Sequence, residues 1–489
     1  MFVCATRVTR WCVVLVAAVA LVGCGYAMPA SYHSQGSGTP PSATGETTYY
    51  VDAERGRDSA SGTSPATAWR TLARVDRGHY GGGDAILLAG GQRFAGTINL
   101  GKANLAGTSS ANPLWIGSYG QGRATIQAPS GQDGLRAVNV AGVRVAKVDL
   151  AGRGNRDCQQ RKDPALGDGA AGIRFLASHL NGTLDQGIAI QHVDVSGFCD
   201  GIIVASADNG SRISGVRVAS VSAHDNGQTG IWAYDLAQSH YSIRDVTVSD
   251  TRAYRNAGRG GIALFGVEHG TVANSVAFAN ARSRGGGVGI WAFDANRIRI
   301  THDTSYANGS AAIKNDGDGF DLDRGVSNSV IEHSVSHDNG GVGYLVCSCA
   351  RYGSYYHMRD NLVRDNVSRD DGSSGQSSLY VLGGEPMRGI DIVHDRVTSS
   401  AGAGPLVRVG ASGRPYADLR FRDNSFAAGG GKRLLQLDPR GASGLSFESN
   451  TWRAIGGPFS VRWGHRAFSS LRSWQAATHV ETSKRSNGS

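Results

Sequence analysis

From residue 172 onward the chain repeats a glycine followed by a large apolar residue. The pairs are Gly172-Ile173, Gly201-Ile202, Gly230-Ile231, Gly261-Ile262, Gly289-Ile290, Gly319-Phe320 and Gly343-Tyr344, at spacings of 29, 29, 31, 28, 30 and 24 residues. Ahead of most of these lies a segment ending in Asn (His224-Asp225-Asn226, Arg255-Asn256, Ala279-Asn280, Ala307-Asn308, His337-Asp338-Asn339). Ahead of that comes an alternating β-branched run such as Val216-Arg217-Val218, Val246-Thr247-Val248 or Ile298-Arg299-Ile300. Period-two alternation predicts short strands, and the lack of a 3.6-residue pattern excludes helix-pair repeats. Propeller blades need about 40–45 residues. Two or three strands in about thirty residues suit an all-β, parallel β-helix whose coils stack at about 4.8 Å. Asn is expected at the turns because it tolerates the left-handed conformation and its amide can hydrogen-bond along the stack.

Side chains alternate across a strand, so the glycine register predicts which face each residue takes. Positions one and three after each glycine face the core: Ile231/Ala233, Ile262/Leu264, Ile290/Ala292, Phe320/Leu322 and Tyr344/Val346. Positions two and four face outward, which makes Trp232, Tyr234, Phe265, Trp291 and Phe293 an exposed aromatic row. A contiguous apolar patch of this kind marks a binding surface, and flat rings suit the apolar faces of sugars. The alternative is that these rings pack under the long turns Ala281–Val288 and Ser310–Asp318.

The same outward columns continue into Asn315-Asp316-Gly317-Asp318-Gly319-Phe320-Asp321-Leu322-Asp323. Asp321 and Asp323 then stand side by side, about 6.5–7 Å apart at Cα. Paired carboxyls at such spacing serve as general acid and as base or nucleophile in glycoside hydrolysis, with Asp318 as a third candidate. Crowding by Asp316 and Asp318 is expected to raise one proton affinity, as an acid requires. The competing readings are a Ca²⁺ site through Asp316 and Asp318, or a turn whose aspartates only satisfy backbone N–H groups. Lys314, Arg324 and His333 are neighbouring candidates for substrate contact.

The amino terminus carries Arg7 and Arg10, then an apolar run from Trp11 to Val22 that is short for a membrane span and reads as a signal peptide over 1–23. It ends in Leu21-Val22-Gly23-Cys24, which resembles a bacterial lipobox; this implies lipidation of Cys24 and an exported, membrane-anchored lipoprotein. Residues 24–48 read as a flexible tether, 49–133 as an N-terminal cap with first coils, 134–455 as the β-helix and 456–489 as a capping tail. Four cysteines remain beyond the leader, with Cys158–Cys199 and Cys347–Cys349 as one of three possible disulfide pairings. The 70 glycines, about double the usual share, punctuate turns. The net charge of +9 is spread without basic clusters, so nucleic acid is not an expected partner. A polysaccharide is the expected partner, and the protein is expected to act as a monomer.

The opening Tyr49-Tyr50-Val51-Asp52, with Asp58, Gly62-Thr63, Ala68-Trp69-Arg70-Thr71-Leu72 and Gly83-Asp84-Ala85-Ile86-Leu87-Leu88, resembles the start of secreted right-handed parallel β-helix proteins. These belong to the pectate-lyase-like superfamily and include family 9 polysaccharide lyases and glycosidase-like members. The segment from Asp318 to Val346 and the tail from Phe459 to Thr478 are similar to the same group, so the resemblance spans roughly residues 49–480. It implies a right-handed β-helix with an N-terminal cap and an enzyme acting on polysaccharide. In family 9 lyases a lysine that acts as base follows the Asp-Gly-Phe motif. Here Asp323 stands at that position, and neither Lys314 nor Arg324 matches it, which favours a hydrolase. A Ca²⁺-dependent lyase or epimerase on uronic acids, and a glycan-binding module without activity, are the alternatives.

Overall fold

The computed structural model describes residues 46–154, 158, 169–185, 187–236, 241–282, 287–309, 316–349, 357–384, 387–411, 416–438, 444–479 and 481–482. The chain divides into two units, residues 1–41 and 42–489, and every described residue belongs to the second. The signal peptide, Cys24, nearly all of the tether and Lys314 therefore lie outside the described residues. Among the described helices none is long and apolar enough to cross a membrane.

Each turn of the chain lays one strand into each of three sheets, which among the described residues hold 16, 13 and 14 strands. We call these sheets I, II and III. One coil runs through Ser211–Ala219 in sheet I, Ser222–His224 in sheet II and Thr229–Asp235 in sheet III. The next coil lays Ile243–Ser249, Arg252–Tyr254 and Gly260–Phe265 on top of them in parallel register. The molecule is a parallel β-helix, with an antiparallel pair between Val461–Trp463 and Arg466–Phe468 at its C-terminal end.

The register expected from the glycines is the one found: Ile202, Ile231, Ile262, Ile290, Phe320 and Tyr344 stand opposite one another down sheet III. With Ala233, Leu264, Ala292, Leu322 and Val346 they are buried in the continuous core. The glycine recurs for steric reasons. A Cβ on Gly261 would lie 2.5 Å from the Gly289 carbonyl oxygen and 3.1 Å from Asn280 Nδ2, so this corner admits no side chain between coils.

The recurrent asparagines form a buried ladder at the corner between sheets II and III. The amide Nδ2 of Asn226 donates to Oδ1 of Asn256 (3.0 Å), and the series continues from Asn256 to Asn280 (3.0 Å), Asn308 (3.1 Å), Asn339 (3.0 Å) and Asp371 (2.8 Å). The left-handed residue is the one before each Asn: Asp225, Arg255, Ala279, Ala307 and Asp338, with φ between 53° and 55°. The expectation that Asn itself adopts the left-handed conformation is thus corrected. Its amide is committed to the stack, and the bend falls on its predecessor.

Parallel pairing runs from Thr48–Val51 on Ala85–Ala89 to Leu445–Glu448 on Glu481–Thr482. At the end of the chain the helix Leu471–Thr478 buries Trp474 against Trp452 (5.3 Å) and Phe447 (5.8 Å). The sulfurs pair as Cys158 with Cys199 and Cys347 with Cys349, at Cα separations of 5.3 and 5.2 Å.

Candidate functional site

Asp321 and Asp323 lie on the outward face of the sheet III strand Asp318–Asp323. Parallel pairing sets them beside Trp291 and Phe293, those beside Ala263 and Phe265, and those beside Trp232 and Tyr234. The small Ala263 leaves room between the two indoles, and Phe265 fills it, edge-on to Trp291 (4.6 Å) and Trp232 (5.5 Å) and stacked on Phe293 (4.8 Å). Trp232 stacks on Tyr234 at 4.2 Å. With Leu176, Ile203 and Ala205 these rings form a second apolar cluster outside the coil core. The expected exposed row is corrected accordingly: Trp232 and Phe265 are only 4% and 7% exposed, and Tyr234, Trp291 and Phe293 are half-buried. Outward on this sheet does not mean solvent-facing.

Beside the cluster lies a cavity of about 340 Å³, lined by Tyr234, Asp235, Arg259, Phe265, Gly266, Gly287, Val288, Trp291, Phe293, Asp294, Asp316, Asp321 and Asp323. Trp232 backs this wall from behind Tyr234.

The two carboxyls differ. Asp321 is 3% exposed, and its Oδ1 is buried with no hydrogen-bond partner among the described residues. Burial, then the charges of Asp323, Asp318 and Asp316, push its proton affinity well above the ordinary carboxyl range. Asp323 is half-buried and its Oδ1 accepts the Arg324 N–H at 2.7 Å. Burial first, with Asp316 and Asp294 adding, pushes it up to about 7 against the pull of that hydrogen bond.

The surrounding charges are organised around Asp294 and Asp235. Asp294 forms a short ion pair with the Arg324 guanidinium and accepts the Gly325 N–H at 3.1 Å. The same guanidinium lies 4.4 Å over the Phe293 ring. Asp235 accepts the Ser242 N–H at 3.2 Å. It fits because Gly266 stands on the next coil, with φ +61°, where a Cβ would come within 2.3 Å of the Asp235 Cβ. Arg259 reaches over the Trp232 ring at 5.2 Å.

No curated protein matches the chain. A sequence model described as the right handed beta helix region matches residues 178–426, just over half of the chain. The chain belongs to the right-handed beta helix family. The native GH136 lacto-N-biosidase from Eubacterium ramulus has a similar structure, with a TM-score of 0.59 at 17% identity over 84% of this chain and 68% of that one. The Azotobacter vinelandii mannuronan C-5 epimerase AlgE4 A-module gives a TM-score of 0.47 at 18% identity, over 79% of this chain and 91% of that one. The likeness to the lacto-N-biosidase is one of fold.

Within this right-handed β-helix the sequence candidates separate. Asp321, Asp323, Tyr234, Phe265, Trp291, Phe293 and Asp316 line one cavity, with Asp316 exposed at its rim. Asp318, a candidate both for catalysis and for a metal, does not line it. It shares the strand parity of Phe320 and Leu322, and its carboxylate accepts the Val342 N–H of the next coil. Of the two residues expected to hold Ca²⁺, Asp318 is thus engaged by a backbone N–H and only Asp316 faces the cavity. Arg324 is held by Asp294 and Phe293 and supports the wall without lining the cavity. His333 is corrected too. It is exposed on the turn between the sheet I strand Val330–Glu332 and the sheet II strand Val335–His337, away from sheet III and near His302. Asp235, Asp294 and Arg259 were not anticipated. A signal was present, in that an outward aromatic is followed directly by aspartate in both Tyr234-Asp235 and Phe293-Asp294, with glycine at the matching place on the coil between.

Proposed function

We propose that this β-helix is a glycoside hydrolase acting on polysaccharide or another glycan through Asp321 and Asp323. The observation that carries the reading is the inequality of two adjacent carboxyls inside one aromatic-walled cavity. Asp321, the more buried, keeps its proton and donates it to the glycosidic oxygen as the C–O bond to the departing sugar breaks. Asp323, held by a backbone N–H, ionises more readily and serves either as nucleophile at the anomeric carbon or as the base that takes a proton from attacking water. The rings of Trp291, Phe293 and Tyr234 offer apolar faces to the sugar. An acid at position 323, where a lyase of the resembled kind carries a lysine, supports hydrolysis over elimination.

A screen of native protein against a glycan panel in ¹⁸O-water tests the reaction type. Hydrolysis puts one ¹⁸O into the new reducing end. An unlabelled product that absorbs in the ultraviolet identifies elimination and removes the hydrolase reading. We further propose that Cys24 holds the enzyme outside the cytoplasm by a lipid. Cys24→Ala then releases it from the membrane fraction, and an unchanged distribution speaks against the anchor.

A further inference from the structure

Among the described residues the cavity is lined by five carboxyls, those of Asp235, Asp294, Asp316, Asp321 and Asp323, against one basic side chain, Arg259. The nearby Arg324 is already taken by Asp294. Two buried polar atoms have no partner among the described residues and belong to lining residues: the Asp321 Oδ1 and the Trp291 Nε1–H. Asp321 is 97% buried, so water does not freely satisfy it. The cavity therefore offers an acceptor or carboxylic donor, an indole donor and flat apolar walls, in a negative field.

We infer that the cavity selects uncharged sugar units, hexoses or N-acetylated hexosamines, and rejects both uronic acids and free amino sugars. The inference rests on the reading of the cavity as a glycan site. A hydroxyl or an acetamido group can meet an orphan donor and an orphan acceptor without bringing charge. A uronate would bring a further negative charge beside Asp235, Asp316 and Asp323, with Arg259 as the one basic side chain among the described lining residues, and like charges at close range in a buried site repel. An ammonium group would be attracted, but it would favour the ionised form of the pair and strip the proton that the leaving oxygen needs. The raised proton affinity of Asp321 and Asp323 is in keeping with a field that already disfavours further negative charge.

The test separates binding from cleavage. A glycan array carrying matched uncharged, N-acetylated, free-amine and uronic oligosaccharides is probed with the labelled native protein, and with Asp321→Asn and Asp323→Asn protein so that cleavage does not erase signal. The expected result is binding of uncharged and N-acetylated spots, with matched uronic spots at least tenfold weaker, and with free-amine spots bound but not cleaved. Trp291→Ala should abolish the bound set, and Asp316→Lys should narrow the discrimination against uronates. Uronic spots bound as well as uncharged ones overturn the inference, as does binding that survives Trp291→Ala. Binding with the expected charge preference but no new reducing ends on any bound glycan leaves the selection standing and removes the hydrolase reading instead.

Discussion

Asp321 and Asp323 sit two residues apart on one strand, yet among the described residues only Asp323 receives a backbone N–H. Two interacting carboxyls lose their protons in two steps that belong to the pair. The form with one proton left is the competent one, so activity should rise with pH through about 7 as Asp323 ionises, then fall at higher pH as Asp321 does. Asp316→Asn removes a charge that raises both and should move the rising limb to lower pH. A pH–rate profile of the two proteins checks this, and an acid limb near 4 in the native enzyme contradicts it. The outward direction of both aspartates was legible from strand alternation alone. Their burial was not, because it depends on what covers the sheet. Alternation also places Asp318 with Phe320 and Leu322, so its exclusion from the cavity was legible in the same nine residues that suggested it.

At the level of the single element, the asparagine ladder ties coil to coil where the hydrophobic core meets the corner. Asn280 accepts both the backbone N–H (3.1 Å) and the side-chain Nδ2 (3.0 Å) of Asn256, and donates to Asn308 and to the Ala253 carbonyl (2.9 Å). Asn280→Ala strands several buried polar groups at once, and each unsatisfied one costs about 1–3 kcal/mol. A loss of roughly 3 kcal/mol in denaturant unfolding is expected, against less than about 0.5 kcal/mol for a substitution at the exposed Arg282. Equal effects at the two positions would show that the ladder is not a stabilising element. The recurrence of Asn in the sequence pointed to this stack. The placement of the left-handed bend on the preceding residue did not show, because Asp, Arg and Ala there share no chemical preference for it.

For the molecule as a whole, the thirty-residue period revealed the stacked coils, because one glycine per turn must clear the neighbouring coil. The first coils, from Thr48 onward, lack that marker, and only the resemblance of the opening residues to other β-helix proteins pointed to them. Stacking also buries acids along the solenoid. Asp200 and Asp371 are pushed to about 6, and Asp303 and Asp395 to about 8, in each case by burial. A carboxyl whose proton affinity is higher folded than unfolded stabilises the fold fully below its unfolded value near 3.9, and that stability is lost as pH rises through the folded value. Asp194 and Asp225, held below the ordinary range, act in the opposite sense and lose their contribution in acid. Thermal stability should therefore peak near pH 5 and fall by roughly 5 °C or more by pH 8. Calorimetry at the two pH values checks this, and a higher melting temperature at pH 8 contradicts it.

The central claim, that this β-helix cleaves glycans with Asp321 and Asp323, is tested most directly by new reducing ends. Native protein, Asp321→Asn and Asp323→Asn are compared on the same cleaved glycan, with circular dichroism confirming that all three are folded. The account predicts a loss of at least about a hundredfold in rate for each variant. Either variant retaining native activity contradicts it.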